Sequence, residues 1–444
     1  MTSGWRAFTG LGVFCWLLPL AMSPAVEPHS LPEHMPEPLT LEMALRFAVR
    51  SHPEIQTEEA ALAAARAEAL RAESLLGTRV WLDGRLRYTD PLFKFEGWRR
   101  DDSRLGIFIE KRLSDFGRSS AAQSAARRSI SSRRAALKER RWARRIAILE
   151  RFFDVVLTDL QFDRDNEEMA VIYVALDRLR DQHELGRVSD IVVLEKEAEY
   201  QRIRRLRAQT QNRQRLTRAR LAYAMGLPGQ LPATVVPPAA LPHVKRTLPE
   251  VERLQEQAMA GNHRLRALRE ELAAARERVA SARAGRNPTL DARLEANRYS
   301  RPRAGYDNWR VELDLQVPLH TGGRVDAAIA RERAEVHRLQ AELADAEERI
   351  RQQVLELWLD LSALRIQREE AATRNEYREL YLDRSRALYE LEVKTDLGDA
   401  MVRLTEAERR ALETDFRIAL AWERLDLLLG NVLATQGPTA SGER

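Results

Sequence analysis

The chain has 444 residues, of which 31% are charged and only 6% are aromatic, and its formal net charge is +5. This composition, rich in Ala, Glu, Leu and Arg, is typical of long helices rather than of a densely packed globular domain. The small positive charge excludes the strongly basic balance of a nucleic-acid-binding protein, so we expect no nucleic-acid partner.

The N-terminus resembles a signal peptide. Arg6 precedes an apolar stretch at residues 7–21, and a small-residue cleavage site follows at residues 23–25. The stretch is too short for the alternative of a membrane anchor. Cys15, the only cysteine, lies inside it. The mature chain is therefore expected to be exported and to lack disulfides and thiolate metal sites.

The first half of the remaining chain combines helices with two strands. Thr40 is the predicted N-cap of the first helix, which Pro53 interrupts. Apolar and polar residues then alternate in two short segments, and a run without Gly or Pro follows, long enough for a helix of about 100 Å. In order, we predict a helix at 39–75, strands at 80–89 and 104–113, a long helix at 119–185 and a returning helix capped by Ser189 that ends near 225.

The second half repeats this pattern. The segment LDGRL at 82–86 matches LDARL at 290–294 at an offset of 208. At the two ends of the long helix, Gly117-Arg118 matches Gly323-Arg324 and LGRVSD at 185–190 matches LEVKTD at 391–396, both at an offset of 206. A constant offset across the long helix means that both halves fix its length. In order, we predict a helix at 248–284, strands at 290–299 and 309–317, a long helix at 325–391 and a returning helix that ends near 430.

These features define the predicted organisation of the chain. They are a signal peptide (1–25), an irregular segment (26–38), a first repeat (39–228), a linker (229–247), a second repeat (248–430) and a disordered tail (431–444).

Four strands of about ten residues have the length of tilted membrane strands, but four cannot close a barrel, and an open edge is not tolerated in lipid. Three chains would supply twelve strands.

The fold class expected is mainly α, with long antiparallel coiled-coil helices and a membrane β-barrel portion shared by a homotrimer. The alternative is a soluble sheet packed on one face. The polar strand faces would line the barrel lumen with Arg85, Arg87, Glu110, Arg293, Glu295, Glu312 and Asp314.

The order of elements, the duplication and several local segments resemble the TolC family of outer membrane efflux proteins. These segments are LEMAL at 41–45 with His52-Pro53 downstream, PLHTGGR at 318–324 and GRVSD at 186–190. The resemblance implies a homotrimeric exit duct in the outer membrane of a Gram-negative bacterium, continued by a periplasmic α-barrel. It also implies contact with outer-membrane lipid, a periplasmic adaptor and an inner-membrane pump of the RND or ABC type, for efflux or type I secretion.

The resemblance also implies roles at the periplasmic end, where the helical turns lie. Tyr389 and Lys394 fall on family positions that constrict the entrance, and Asp396 and Asp399 stand near a family acidic pair that would map to Gly398 and Met401. A solvated helix cap is the alternative for the two aspartates. The turn tips expected to dock the adaptor are Gly186, Arg187, Val188, Ser189, Asp190, Val393 and Thr395.

A basic run on the first long helix has two interpretations, a solvated helix face or a contact with anionic lipid headgroups. It comprises Arg127, Arg128, Arg133, Arg134, Lys138, Arg140, Arg141, Arg144 and Arg145.

No catalytic or metal-binding constellation stands out, so we expect no enzyme activity, no cofactor and no metal. The cargo could be a drug, a metal ion or a polypeptide. The alternatives from other classes are a periplasmic coiled-coil adaptor and a soluble structural coiled-coil protein.

Overall fold

The computed structural model describes residues 35–49, 52–90, 100–300, 307–391, 393 and 396–431. It combines a layer of long helices with one four-stranded antiparallel sheet, in agreement with the expected mainly α class. The predicted signal peptide and the tail after residue 431 lie outside the described residues. None of the described helices is long and apolar enough to cross a membrane.

Eight α-helices and four strands make up the described fold. The helices are α1 (Leu41–Arg46), α2 (Pro53–Ser74), α3 (Arg118–Glu184), α4 (Asp190–Met225), α5 (Val251–Gly261), α6 (His263–Arg283), α7 (Arg324–Glu390) and α8 (Leu397–Leu429). The strands are β1 (Thr78–Arg85), β2 (Arg104–Ser114), β3 (Thr289–Tyr299) and β4 (Trp309–Gln316).

The two long helices have the same length, as the constant sequence offset predicts. Both α3 and α7 contain 67 residues, which corresponds to about 100 Å each. Each begins directly after a glycine with positive φ, Gly117 at 105° and Gly323 at 80°. Glycine adopts this backbone at little cost, so the strand can turn sharply into the helix.

The first strand is shorter at its C-terminal end than the alternating pattern predicts. β1 ends at Arg85 rather than near Thr89, and Tyr88 forms only an isolated bridge with Asp101. The ladder becomes irregular here because Arg87 donates its backbone N–H to the side chain of Ser103 at 3.2 Å.

The predicted helix at 248–284 is wrong as a single element, because it breaks at Asn262. This residue has an extended backbone (φ −59°, ψ 127°), and its side chain accepts hydrogen bonds from the N–H groups of Arg264 and Leu265 at 2.9 and 3.1 Å. The break lets Gly261 approach the end of α8, where a Cβ on Gly261 would lie 2.2 Å from the carbonyl oxygen of Leu429.

The sheet and the helical layer have the same lateral order. The strands pair as β1-β2-β3-β4. In the helical layer, α2 and α4 pack on one side of α3, α6 and α8 pack on its other side, and α7 packs against α6 and α8. β2 leads directly into α3 and β4 leads into α7, which explains the shared order. The layer therefore has two outer members, the α2/α4 pair and α7.

The largest buried side chains lie midway along the long helices. Phe153 of α3 stacks on Phe416 of α8 with ring centroids 3.9 Å apart, and both rings are almost fully buried. Trp422, six residues further along α8, is 1% exposed and packs in a second apolar cluster with residues of α5 and α7. The stacking of Phe153 on Phe416 joins the two repeats, and the cluster around Trp422 lies within the second repeat.

Removing the Phe416 ring is expected to destabilise this junction. Phe416→Ala should lower the free energy of unfolding by about 3–5 kcal/mol, because truncating a buried Phe loses burial and leaves a cavity. Urea denaturation of the detergent-solubilised protein, followed by circular dichroism, measures the change. Arg417→Ala, at the adjacent exposed position, is the control and should stay within about 0.5 kcal/mol of wild type.

Candidate channel wall and entrance

Charged side chains of alternating sign cross the polar face of the sheet. The register aligns Arg79, Glu110, Arg293 and Glu312 in one row, one residue from each strand. Glu110 lies 3.2 Å from Arg79 and 3.9 Å from Arg293, and Arg293 lies 3.8 Å from Glu312. Opposite charges on neighbouring strands stabilise the sheet by roughly 0.2–1 kcal/mol per pair. Three of the predicted lumen residues therefore lie together.

The other predicted lumen residues, with one exception, extend the same face. Arg85 aligns with Arg104, Glu295 with Arg310, and Asp314 with Asp291, which accepts two hydrogen bonds from Arg112. Arg87 is the exception, because it lies beyond the end of β1. Its guanidinium pairs with the carboxylate of Asp102, and the strand position predicted for it is wrong.

The opposite face of the sheet is apolar and exposed. Val80, Leu82, Val311 and Leu313 each leave about two thirds of their surface uncovered, and Trp309 is 71% exposed. Within the described residues, the outer edges of β1 and β4 pair with no other strand. An uncovered apolar face and two open edges indicate that this sheet is incomplete in a single chain surrounded by water.

The first helical turn is a compact loop between α3 and α4. Gly186 has a φ of 71°, and the N–H of Arg187 donates to the carbonyl oxygen of Gln182 at 2.8 Å. His183 bridges the loop through contacts with the carbonyl oxygen of Val188 at 3.1 Å and with Asp190 at 3.0 Å. Ser189 occupies the N-cap position with extended backbone, but its side chain makes no capping hydrogen bond. Its predicted side-chain cap is therefore absent.

The second turn connects α7 with α8. Tyr389 lies in the last turn of α7 and is 47% exposed, and the N–H of Val393 donates to the carbonyl oxygen of Leu388 at 3.0 Å. Lys394 and Thr395 lie outside the described residues, so their predicted roles remain predictions.

The two aspartates near this turn have partners in the same chain. The carboxylate of Asp396 accepts a hydrogen bond from the Tyr381 hydroxyl at 3.0 Å. Asp399 lies in the first turn of α8 and pairs with Arg403 at 2.7 Å, an exposed contact between residues four apart. An arginine beside Asp399 weakens the field that an acidic selectivity ring would need.

The position next to Asp399 is fixed by packing. A Cβ on Gly398 would lie 2.6 Å from a methyl group of Val171 on α3. An acidic side chain does not fit at this close approach, which explains why the family's acidic pair has no counterpart at residue 398. The glycine brings α8 against α3 close to the turn between α7 and α8.

Most of the basic run on α3 is exposed, as the interpretation as a solvated helix face predicts, and its contact with lipid headgroups stays a prediction. Five of its nine members pair with carboxylates of α2, α6 or α8, and the run begins about 14 Å along α3 from its junction with β2. These pairs are Arg127–Glu73, Arg128–Glu270, Arg140–Glu54, Arg141–Glu59 and Arg145–Glu423, at 2.8–3.9 Å. Much of the run therefore connects α3 to its neighbours.

Sequence reasoning missed a buried ionic cluster around Glu423 of α8. Its side chain is 6% exposed and lies 3.5 Å from Arg145 and 3.6 Å from His243. Burial raises the pKa of Glu423, but the contacts with His243 and Arg145 outweigh burial and hold the pKa below its usual value. The three residues are far apart in sequence and lie on charged or irregular segments, so no local pattern predicts the cluster.

The family model described as outer membrane efflux protein matches residues 254–431, which extend from α5 to the residue after Gly430. Among solved structures, the fold is similar to CusC, with 16% identity, 88% of this chain and 92% of that chain covered, and a TM-score of 0.72. VceC from Vibrio cholerae shares 17% identity over 88% of this chain and 96% of that chain, with a TM-score of 0.70. A comparison with curated protein sequences gave no significant match.

A third similar structure is the CmeC outer membrane channel of Campylobacter jejuni, with 10% identity, coverage of 88% and 85%, and a TM-score of 0.71. The fold class is thus that of channel proteins with long helices and a small antiparallel sheet. The predicted relationship to the TolC family of outer membrane efflux proteins is confirmed, because the second repeat matches the family model and the fold agrees over most of the chain.

The Glu423 cluster predicts a pH dependence of stability. Because the folded-state pKa of Glu423 is lowered, the charged form stabilises the fold above the unfolded-state pKa of about 4.5, and this contribution disappears as pH falls through the folded-state value. Glu423→Gln should lower the melting temperature at pH 7 and match wild type in acid below the folded-state pKa. Melting curves from pH 7 to pH 3 measure this. An equal difference at every pH would contradict it.

The close approach at Gly398 predicts a second effect. Gly398→Ala should cost about 1–3 kcal/mol of stability, because the added methyl must displace the stiff side chain of Val171. Thermal denaturation measures the loss. Val171→Ala in the same chain should restore most of it, and a failure of this rescue would contradict the contact.

Proposed function

We propose that three copies of this chain form an exit duct in the outer membrane that moves solutes passively. The duct would continue into the periplasm as an α-barrel and receive its cargo from an inner-membrane pump through a periplasmic adaptor. The family model, described as outer membrane efflux protein, supports the localisation.

The sheet supports assembly with further copies. Its apolar face and its two open edges match the needs of membrane strands, which face lipid with apolar side chains and pair on both sides. Pairing of β4 with β1 of the next copy removes both open edges at once. Three copies give twelve strands, an even number in the range of known membrane barrels. The charged row then faces the water-filled lumen.

The outer face of α7 supports the same arrangement. The equal lengths of α3 and α7 relate residue n of α3 to residue n + 206 of α7. Phe153 of α3, which stacks on α8, corresponds to Leu359, and Leu160 corresponds to Ile366. Leu359 and Ile366 are 52% and 71% exposed. This apolar stripe of α7 is positioned to pack on the α2/α4 pair of the next copy as α3 packs on α8.

The exposed turns at the far end of the helices suit the predicted docking role. Gly186, Arg187, Ser189 and Asp190 are exposed, and Val393 is 67% exposed. Short turns with exposed side chains at the end of a barrel provide a repeated surface, three times per assembly, for a periplasmic adaptor. The two hairpins joined to one sheet favour the duct over the adaptor class.

The observation that carries the proposal is the apolar stripe of α7, which no helix among the described residues covers. Leu359→Asp with Ile366→Asp should convert the assembled protein to single subunits, because two carboxylates would be buried in the interface. Light scattering of the detergent-solubilised protein measures the mass. Gln353→Asp, on a different exposed face of α7, is the control and should leave the trimer intact.

Wild-type protein that runs as a single subunit and gives no conductance in a planar bilayer would contradict the proposal. A trimer that persists in the double aspartate variant would contradict the interface while leaving a trimeric duct possible.

A further inference from the structure

A basic crevice lies where α2 begins and α4 ends, on one face of α3. Its volume is about 770 Å³. Two arginines of α3 pair with nearby carboxylates, Arg140 with Glu54 at 3.0 Å and Arg151 with Asp154 at 3.1 Å. The charged and ionisable side chains that line the crevice are His52, Glu54, Arg140, Arg144, Arg151 and Arg220. Four guanidinium groups and one carboxylate thus line the crevice, and the carboxylate of Asp154 pairs with Arg151 beside it.

Arg144 is buried, and most of its hydrogen-bond donors have no partner in the described part of the chain. Its side chain is 4% exposed, and its closest acceptor is the carbonyl oxygen of Phe47, at 3.4 Å from Nη2. Its Nε and Nη1 atoms have no hydrogen-bond partner among the described residues. Burial lowers the pKa of Arg144 to about 10, so the group stays charged at neutral pH. A buried guanidinium with a single long hydrogen bond is costly unless an anion supplies further acceptors.

The second repeat shows that the fold does not need arginines here. By the shift of 206, Arg140 corresponds to Ala346 and Arg144 to Ile350. Ala346 and Ile350 are both buried in the apolar cluster beneath α5. In the second repeat, the backbone at the end of α5 touches the backbone at the end of α8. The contact is so close that a Cβ on Gly430 would lie 2.0 Å from the carbonyl oxygen of Gly261. The arginines of the first repeat are therefore not needed to close a helix junction of this kind, and they serve another purpose than packing.

The crevice lies on the same face of α3 as a second cavity nearer the sheet. This cavity is a trough of about 880 Å³ lined by residues of α2, α3, α6 and α7, so it faces the side of the layer that these four helices share. α3 contributes Arg118, Ser129 and Arg133 to the trough. The same stripe, at coiled-coil spacing, continues as Arg140, Ala147 and Arg151 in the crevice. In the proposed duct, this face is the inner wall.

The crevice can supply donors matched to an oxyanion. Guanidinium groups form paired hydrogen bonds with phosphoryl and carboxylate oxygens. The Nδ1 atom of His52 accepts the N–H of Glu54 at 3.3 Å, which leaves the proton of the neutral ring on Nε2 as a further donor. Arg220 is exposed at the rim, where it can meet a solute in the channel.

We propose that this crevice is an anion-binding site on the inner wall of the duct, which takes phosphoryl or carboxylate groups of anionic solutes. Its place on the inner wall rests on the proposed function, whereas the binding itself is a property of each chain. Three such sites in one assembly would form a basic band at mid-height and favour multiply charged anions over cations.

Calorimetric titration of the detergent-solubilised protein tests the binding without any need for conductance. Tripolyphosphate and citrate are the two probes, and they separate phosphoryl from carboxylate recognition. Binding of either probe that weakens about tenfold in Arg220→Gln and in Arg144→Met supports the site, because each variant removes a charge-assisted contact. Arg204→Gln removes the same charge from an exposed position on a different face of α4 and should leave binding within about twofold.

Arg220 is exposed, so its variant keeps the test valid if Arg144→Met fails to fold. No binding of either probe by wild-type protein, or equal loss in the Arg204→Gln control, would overturn the proposal.

Planar-bilayer recording separates this inference from the proposed function. A conducting channel that both probes leave unblocked, with the same ion selectivity in wild type and in Arg220→Gln, would overturn the anion site on the inner wall while the duct stands. Block by a probe that is weakened about tenfold in Arg220→Gln supports it. Protein that binds a probe but conducts no current would contradict the duct.

Discussion

The outer edges of β1 and β4 impose the constraint on which the account depends. Backbone N–H and C=O groups at a sheet edge need partners, and in lipid no water can supply them. The four strands of one chain leave two such edges and one uncovered apolar face. Each strand also leads into or follows a helix of the layer, so any arrangement that closes the sheet brings the outer helices of neighbouring copies together.

The lengths of the helices make this joint closure possible. α3 and α7 have 67 residues each and both start at a glycine turn, so the sheet and the helical layer stay in register across both repeats. A length difference between them would place the turns of the two hairpins at different heights. The close approach of Gly398 to Val171 then joins the second turn region to the first repeat near the same end.

Sequence patterns predicted the parts that depend on local rules. Strict alternation located β2, β3 and β4 and the shared face of Glu110, Arg293 and Glu312, and the absence of Gly and Pro located both long helices to within one residue. The patterns failed where distant contacts decide the structure. Asn262 breaks a helix because Gly261 must meet the end of α8, and much of the basic run of α3 pairs with acids of three other helices, which no local pattern reveals.

The inner wall of the proposed duct carries different charges at different heights. The sheet has opposite charges in rows, the mid-height crevice has an excess of arginines, and Asp399 near the entrance is paired with Arg403. This distribution gives no support to an acidic selectivity ring and favours anionic over cationic solutes at mid-height. The cargo preference of the duct would therefore be decided within the helical barrel.

Disulfide formation between β1 and β4 of neighbouring copies tests the central claim most directly. Within one chain these strands lie about 14 Å apart, too far for a disulfide, because β2 and β3 separate them. With Cys15 replaced by Ser, Leu82→Cys would be combined in turn with Val311→Cys, Leu313→Cys and Leu315→Cys. The account predicts that at least one combination yields covalent trimers on mild oxidation in membranes. Only monomers in every combination would contradict it.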